Sequence, residues 1–444
     1  MRQNDPRRRS PKPISKTKKR RWSLVAHPAH LLRFLGPGLV TGAADDDPSG
    51  IATYSQIGAQ FGFAMLWTLV LSYPLMAAIQ EASAWIARVS GAGLARNLRL
   101  HYPPWLSYAA VGILLFANVI NLAADIAAMG DALGLLIGGS VLLYTLMFGS
   151  ICLAGVVFVS YAKFAKVLKF GTLVLLVYVI VAFAVHAPAR EILAGSFIPE
   201  IRLGGGYMAA LMAVFGTTIS PYLFFWQASQ EVEEQKNTPG EEPLKKAPGQ
   251  AARQLEPMRA DTYFGMAVSN VIAYFIVLDT AALLHAYGIT HIETAAQAAE
   301  ALRPVGGEFA FLLFAVGIIG TGLLAVPVLA GSVGYALAEI ARWPRGLAKK
   351  LASAPAFYGT IAAVMLLGLA LNLTRISPIK ALFWSAVING LCAGPIMVLV
   401  MLMTANGKIT GGLEFPKPQW VIGWISTGVM LAVAGCMLVG FVFP

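Results

Sequence analysis

Apolar residues are grouped into about eleven long runs, with short polar connections between them. The runs cover approximately residues 35–60, 63–87, 105–128, 138–160, 168–186, 206–230, 263–286, 309–339, 357–373, 378–404 and 420–443. Each run is long enough to cross a hydrocarbon core about 30 Å thick as a helix. None alternates with a period of two, and open strands cannot span lipid because their backbone groups would lack partners. The pattern predicts an all-α polytopic membrane protein with about eleven transmembrane helices.

The charge distribution predicts the orientation of these helices. Charged residues are only 12% of the 444 residues, and the net charge of +11 comes mainly from the arm 1–33 and from alternate connections. Because basic connections stay on the cytoplasmic side, we expect a cytoplasmic N-terminus and an outside C-terminus in the plasma (inner) membrane. The basic arm is better explained as a topology signal that also contacts anionic lipid than as a nucleic-acid-binding segment.

A second polar segment, residues 231–262, is rich in Glu, Lys, Pro and Gln. This composition predicts a flexible cytoplasmic loop rather than a domain. The chain contains no zinc-protease, nucleophile-elbow or phosphate-binding glycine motif, so neither an enzyme nor a resident cofactor is expected.

Two apolar runs carry polar residues and helix breakers at mid-depth. The first has Asp45–Asp47 at its centre, followed by Pro48–Gly50, and the sixth has Thr217–Pro221 at a similar depth. Proline removes a backbone donor and clashes with the preceding turn, so both helices are expected to break. A carboxylate at the bilayer centre costs at least about 2.5–3.5 kcal/mol, so three in succession indicate a function.

The two breaks lie five spans apart, which places them at matched positions in two halves of opposite orientation. This is the pattern of inverted-repeat transporters that bind substrate near the midplane. The first half would be 34–187 and the second 205–404, with 420–443 as an additional helix. Because carboxylate, hydroxyl and carbonyl oxygens suit hard cations, the pattern predicts a midplane cation site.

At these residues the chain resembles the NRAMP family of divalent metal transporters. Its Asp47-Pro48-Ser49-Gly50 and Thr217-Thr218-Ile219-Ser220-Pro221-Tyr222 correspond to the family's Asp-Pro-Gly-Asn and Ala-Thr-Val-Met-Pro-His. The resemblance implies a leucine-transporter-like 5+5 inverted repeat with broken helices 1 and 6. It also implies the metal-site residues, namely the Asp47 carboxylate, the main-chain carbonyls of Ala44 and Thr217, and the ligand positions Gly50 and Ser220.

Four positions depart from the family pattern. Gly50 replaces its Asn, Ser220 its Met, Tyr222 its His, and Ala128 the second acid of the third helix. Loss of the thioether removes discrimination against Mg²⁺, and loss of the amide leaves room for water. The altered site is similar to that of NRAMP-related magnesium transporters, which implies transport of Mg²⁺, with Mn²⁺ as a second ion, and weak proton coupling. The alternative is a classical proton-coupled Mn²⁺/Fe²⁺ transporter.

Other polar residues in the apolar runs are candidates to line the cavity or ion path: Asp45, Asp46, Tyr222, Gln227, Asp125, Glu81 and Gln80. Three of them have an equally simple structural explanation. Glu81 lies near an inner helix end and can extend to water, Asp125 lies near an outer end, and Gln227 can bond another helix. An amino-acid carrier of the same fold remains a rival, although the acidic triplet would repel a carboxylate substrate.

Overall fold

The computed structural model describes residues 36–158, 173–185, 187–202, 204–303, 307–373 and 377–442, so the predicted basic arm 1–33 lies outside them. Within these ranges every longer element is an α-helix. The helices are α1 Pro37–Asp45, α2 Pro48–Phe61, α3 Leu66–Ser90, α4 Leu94–His101, α5 Pro104–Ile137, α6 Val141–Phe158, α7 Leu176–Ala184, α8 Ala189–Phe197, α9 Gly205–Thr218, α10 Pro221–Asn237, α11 Ala251–Leu283, α12 Ala295–Glu300, α13 Ala310–Ala341, α14 Pro355–Leu371, α15 Pro378–Thr404, α16 Gly407–Thr410 and α17 Lys417–Val442.

The described helices account for the eleven predicted spans. Within the described ranges, eight helical segments are long and apolar enough to cross a membrane, and 173–184 and 355–371 form shorter apolar helices. One of the eight, 48–90, contains the second half of span 1 and the whole of span 2. The first span is divided into α1 and α2, and the sixth into α9 and α10. The predicted breaks in helices 1 and 6 are therefore confirmed.

The first break occurs at Asp46 and Asp47. Asp47 has an extended backbone (φ −69°, ψ 168°) and is the N-cap of α2, whose first residue is Pro48. Proline is well placed there, because the amide of the first helical residue has no partner within the helix. The Asp47 side chain accepts a hydrogen bond from the amide of Gly50, which satisfies one of the exposed donors of the new helix.

The second break occurs at Ile219 and Ser220, and Pro221 then begins α10. Ser220 holds the N-cap position with an extended backbone, but its side chain does not cap α10. Its hydroxyl instead donates to carbonyls of α9, to Gly216 at 2.7 Å and Thr217 at 3.0 Å. The hydroxyl thus shares its one proton between two carbonyl groups that the break leaves without helical partners.

Glycines set the close approach of the broken helices to their neighbours. A Cβ atom on Gly42 of α1 would overlap the carbonyl of Gly265 on α11, and one on Gly216 of α9 would overlap the carbonyl of Ala386 on α15. Small residues allow such backbone contact between membrane helices. The half-helices α1 and α9 are therefore held against unbroken helices, which fixes the position of both breaks.

The prediction of a flexible loop over 231–262 is corrected at both ends of the segment. Helix α10 continues to Asn237, and α11 already begins at Ala251. The connection between them is attached to the end of α3, because the amides of Leu244 and Lys245 donate to the carbonyls of Arg88 and Val89.

The physical reason is an ion-pair cluster centred on Arg88. This guanidinium, with 5% of its side chain exposed, contacts Glu231 at 2.6 Å, Glu234 at 2.8 Å and Glu241 at 2.9 Å. Polar composition alone does not distinguish a solvated loop from charges that pair in a fold. The cluster joins α3, α10 and the connection.

Candidate metal site between the broken helices

The two breaks face each other in the interior of the helix bundle. The hydroxyl of Tyr222, at the start of α10, donates to the carbonyl of Ala44 in the last turn of α1 at 2.9 Å. A Cβ atom on Gly50 would lie 3.1 Å from the Thr217 hydroxyl oxygen and 3.4 Å from the Asp45 carbonyl oxygen. The motif residues of spans 1 and 6 thus share one buried region.

Asp47 is buried at the centre of this region, with 2% of its surface exposed. Its Oδ1 accepts from the Ser49 hydroxyl at 2.6 Å and from the Gly50 amide at 2.7 Å. Its Oδ2 accepts from the side-chain amide of Asn121 on α5 at 2.9 Å. A carboxylate offers about four lone-pair positions. Three donors therefore orient Asp47 and leave one position on Oδ2 for a cation.

The carbonyls of Ala44 and Thr217 already accept hydrogen bonds in this conformation. The donor to Ala44 is the Tyr222 hydroxyl, and the donor to Thr217 is the Ser220 hydroxyl. Each carbonyl has two lone pairs, so these bonds occupy at most half of its capacity. The hydroxyl of Thr217 is buried and makes no hydrogen bond within the described residues.

Asp125 lies deep inside the bundle rather than near a helix end. Helix α5 continues twelve residues beyond it to Ile137, which is about 18 Å of helix, and Asp125 is fully buried. The interfacial explanation is therefore wrong, because the helix is longer than the apolar run indicated. Asp125 lies one turn after Asn121, the donor to Asp47, on the same helix face, and neither of its oxygens has a hydrogen-bond partner within the described residues.

Asp45 and Asp46 face a different helix. The hydroxyl of Ser269 on α11 contacts Asp45 Oδ2 at 2.7 Å and Asp46 Oδ1 at 2.9 Å. Both carboxylates are buried, and Oδ1 of Asp45 has no partner within the described residues. The acidic triplet is therefore divided between two neighbouring helices.

No basic side chain in the described ranges forms an ion pair with any of these four carboxylates. The same ranges hold no cluster of three or more His, Cys, Asp or Glu residues arranged around one metal position. The arrangement differs from a closed structural metal site. It offers a carboxylate with backbone carbonyls and hydroxyls, a set of oxygen ligands for a hard cation.

Gln80 and Gln227, two other predicted candidates, link helices. The side chain of Gln80 on α3 donates to the Leu223 carbonyl at 2.9 Å and to Gln227 Oε1 at 2.6 Å. Gln227 in turn donates to the Thr262 hydroxyl of α11 at 2.6 Å. These bonds are the interhelical contacts that amides commonly make in membrane proteins.

Glu81 is paired rather than solvated. One carboxylate oxygen contacts Arg259 at 2.6 Å, and the other accepts from the Tyr263 hydroxyl at 2.9 Å. The Glu81 side chain is fully buried, whereas Arg259 is 34% exposed. The explanation that Glu81 extends to water is therefore wrong, since its partner on α11 reaches it inside the bundle.

Sequence reasoning missed three residues of the site: Asn121, Ser385 and Ser269. Asn121 holds Asp47, and its own Oδ1 accepts from Ser385 on α15 at 2.9 Å. One signal was available, since Asn121 lies four residues before Asp125 and hence on the same helix face. No comparable local signal marks Ser269 or Ser385.

Comparison with known proteins gives a match over nearly the whole chain. Residues 38–440 match the model of the family described as natural resistance-associated macrophage protein-like. The divalent metal cation transporter MntH of Deinococcus radiodurans is 27% identical over 428 residues, which are 92% of this chain and 90% of the relative. The protein of the same name from Klebsiella pneumoniae subsp. pneumoniae is 27% identical over 434 residues, 92% of this chain and 94% of the relative.

Solved structures agree in fold. The manganese transporter of Eremococcus coleocola, in complex with an aromatic bis-isothiourea compound, superposes with a TM-score of 0.70 at 15% identity, covering 92% of this chain and 87% of that one. Mhp1, a nucleobase-cation-symport-1 family transporter, superposes with a TM-score of 0.56 at 16% identity, covering 91% and 92%. These likenesses confirm the predicted helical transporter fold with its inverted repeat. The chain belongs to the natural resistance-associated macrophage protein-like (Nramp) family.

Proposed function

We propose that this protein carries divalent metal ions across the membrane by alternating access, with Asp47 as the central ligand. The observation that supports this most directly is the Asp47 carboxylate, which lies at a helix break with three donors and one open lone-pair position. The names of the relatives, divalent metal cation transporter and manganese transporter, support the same class of substrate.

The proposed ligand set contains oxygen only. Asp47 supplies the charge. The carbonyls of Ala44 and Thr217 bind the ion when the hydrogen bonds that they accept from the hydroxyls of Tyr222 and Ser220 weaken. Gly50 contributes no side chain, so water completes the coordination on its side. Asp125, one turn after Asn121 on α5, has two oxygens without partners among the described residues, and it adds negative charge to the ion path.

The choice of ion rests on two different observations. The name of the Eremococcus coleocola manganese transporter supports Mn²⁺, and none of the names of the relatives supports a preference for Mg²⁺. The residues of this chain, Gly50 and Ser220, remove the amide and thioether that would favour a dehydrated, softer ion. We therefore propose that Mg²⁺ is accepted together with Mn²⁺, because Mg²⁺ binds through few carboxylates and keeps several waters. The classical proton-coupled Mn²⁺/Fe²⁺ transporter is the second candidate.

We also propose the arrangement in the membrane that the sequence indicates. The N-terminus is cytoplasmic and the C-terminus outside, and the basic arm 1–33 contacts anionic lipid. The repeat halves are 34–187 and 205–404, and 420–443 is an additional helix. An organic-solute carrier is less favoured, because Asp45–Asp47 and Asp125 would repel the carboxylate of an amino acid.

The experiment is uptake by the purified protein in liposomes, with Mg²⁺, Mn²⁺ and Ca²⁺ measured on the same preparation. We expect saturable uptake of Mn²⁺ and Mg²⁺ above that of protein-free liposomes. Uptake of Mn²⁺ that is unaffected by excess Mg²⁺ would contradict the magnesium assignment, but the proposal of a divalent metal transporter would stand. Failure to take up any of the three ions would contradict the proposal itself.

A further inference from the structure

The four buried carboxylates near the breaks form two groups that face different helices. Asp47 belongs with α5, because Asn121 donates to it, and Asp125 lies one turn after Asn121 on the same face of that helix. Asp45 and Asp46 instead share the hydroxyl of Ser269 on α11. The proposed metal position at Asp47 uses only the first group.

The second group, Asp45 and Asp46, has fewer hydrogen-bond donors than its carboxylate oxygens can accept from. Asp45 and Asp46 are 1% and 2% exposed, and one hydroxyl proton of Ser269 serves both carboxylates. Because a hydroxyl has one proton, only one of the two contacts can be a full hydrogen bond at a time. Ionised carboxylates buried with so few partners carry a large desolvation cost unless a cation joins them.

Tyr54 of α2 provides an independent observation. Its side chain is 1% exposed, and its phenol oxygen has no hydrogen-bond partner within the described residues. Its ring lies close to the end of α1, because a Cβ atom on Gly50 would be 3.3 Å from the Tyr54 ring and 3.4 Å from the Asp45 carbonyl oxygen. Oδ1 of Asp45 is also buried without a hydrogen-bond partner within the described residues. A buried phenol that has no partner in the described part of the chain, next to the end of α1, indicates a place that another group occupies when the site is filled.

The backbone adds to the attraction for a cation. Asp45 is the last residue of α1, and Asp46 is its C-cap. The C-terminal end of a helix carries a partial negative charge from its free carbonyls, which favours cations. Half-helix C-termini serve in this way in broken-helix transporters in general. The side chains and the helix end thus present negative charge at the same point.

We propose that Asp45, Asp46 and Ser269 form a second site for a divalent cation, separate from the one at Asp47. This inference rests on the proposed function, since the same ion occupies both sites. The two carboxylates bind the ion, and the Ser269 hydroxyl holds them in place. Two neighbouring sites at the break allow an incoming ion to repel the one already bound, which assists release from an otherwise deep site.

The test counts bound Mn²⁺, used alone as the probe, by electron paramagnetic resonance on the purified full-length protein in detergent. We expect two ions in the wild type, one in Asp45→Asn/Asp46→Asn, one in Asp47→Asn, and none when all three are changed. Asp279→Asn is the matched control, because Asp279 is a buried carboxylate without a partner in the described part of the chain, ten residues or about 15 Å along α11 from Ser269. It should retain two ions.

The ion that remains at Asp47 also reports that the double variant is folded. A wild type with one ion, lost in Asp47→Asn and kept in Asp45→Asn/Asp46→Asn, would overturn the second site and leave the proposed function intact. A monodisperse double variant with no ion would also overturn it, since the three acids would then form one site.

If the double variant aggregates, the Mn²⁺ affinities of Ser269→Ala provide the test instead. That variant keeps every charge and should weaken one of the two Mn²⁺ affinities about 10–100-fold. Two unchanged affinities would overturn the proposal.

Discussion

The side-chain amide of Asn121 donates a 2.9 Å hydrogen bond to Oδ2 of Asp47, and its carbonyl accepts a 2.9 Å bond from Ser385. These two hydrogen bonds join the broken helix, α5 and α15 at one point. Asn121 thereby determines which oxygen of Asp47 is oriented toward α5 and which caps α2. It acts as a positioning residue for the proposed ligand.

We expect Asn121→Ala to weaken Mn²⁺ binding about 10–100-fold, as removal of a residue that orients a metal ligand generally does. Equilibrium binding on the purified protein measures this. Asn118→Ala is the matched control, because Asn118 lies one turn earlier on α5 and bonds the Leu329 carbonyl and Ser332 hydroxyl instead. Equal dissociation constants for the two variants would show that Asn121 does not position Asp47.

Transport is expected to be weakly coupled to protons or not coupled. Tyr222 occupies the position of the family's histidine, and histidine alone changes charge near neutral pH without perturbation. Ala128 replaces the second acid, and it lines a cavity of about 10 Å³ together with Asp131 and Ile292. A pH-sensitive dye inside liposomes should report little acidification during metal uptake. Robust acidification that Asp125→Asn abolishes would contradict this prediction.

The double change Gly50→Asn/Ser220→Met should raise uptake of Mn²⁺ relative to Mg²⁺. The amide and thioether replace water with ligands that a softer, more easily dehydrated ion accepts better. Space is limited, because a Cβ atom on Gly50 lies 3.1 Å from the Thr217 hydroxyl and 3.3 Å from the Tyr54 ring. Gly50→Ala is therefore the control for crowding without a new ligand. A Mn²⁺ to Mg²⁺ uptake ratio no higher than that of Gly50→Ala would contradict the ligand argument.

Arg88→Ala should destabilise the protein by about 3–5 kcal/mol, because it leaves Glu231 buried without its partner. Unfolding of the detergent-solubilised protein measures the effect. Arg202→Ala serves as the control, since its pair with Glu200 is more than half exposed on both sides and should contribute at most about 1 kcal/mol. Similar stabilities for the two variants would show that the Arg88 cluster does not hold α3 to α10.

The helix breaks could be predicted because their causes are local. Pro48 and Pro221 each follow a residue at the N-cap position, so a short segment contains the whole explanation. The family resemblance added Asp47 and its matched position in span 6. These features require no knowledge of which helices are neighbours.

The partners of the carboxylates could not be predicted in the same way. Asn121 is 74 residues from Asp47, and Ser269 is 224 residues from Asp45, so only the packing of α5 and α11 on the break brings them together. The prediction of a flexible loop over 231–262 needed correction for a related reason. The charges of this segment pair with Arg88 on α3, and composition cannot reveal a partner that is distant in sequence.

The most direct measurement of the central claim is metal uptake by Asp47→Ala beside Asp279→Asn in liposomes. Both variants remove a buried carboxylate, but only Asp47 lies at the helix break. The account predicts that Asp47→Ala loses uptake of Mn²⁺ and Mg²⁺ while it inserts and folds like the wild type, and that Asp279→Asn retains uptake. Near-normal uptake by a folded Asp47→Ala variant would contradict the assignment of Asp47 as the central metal ligand.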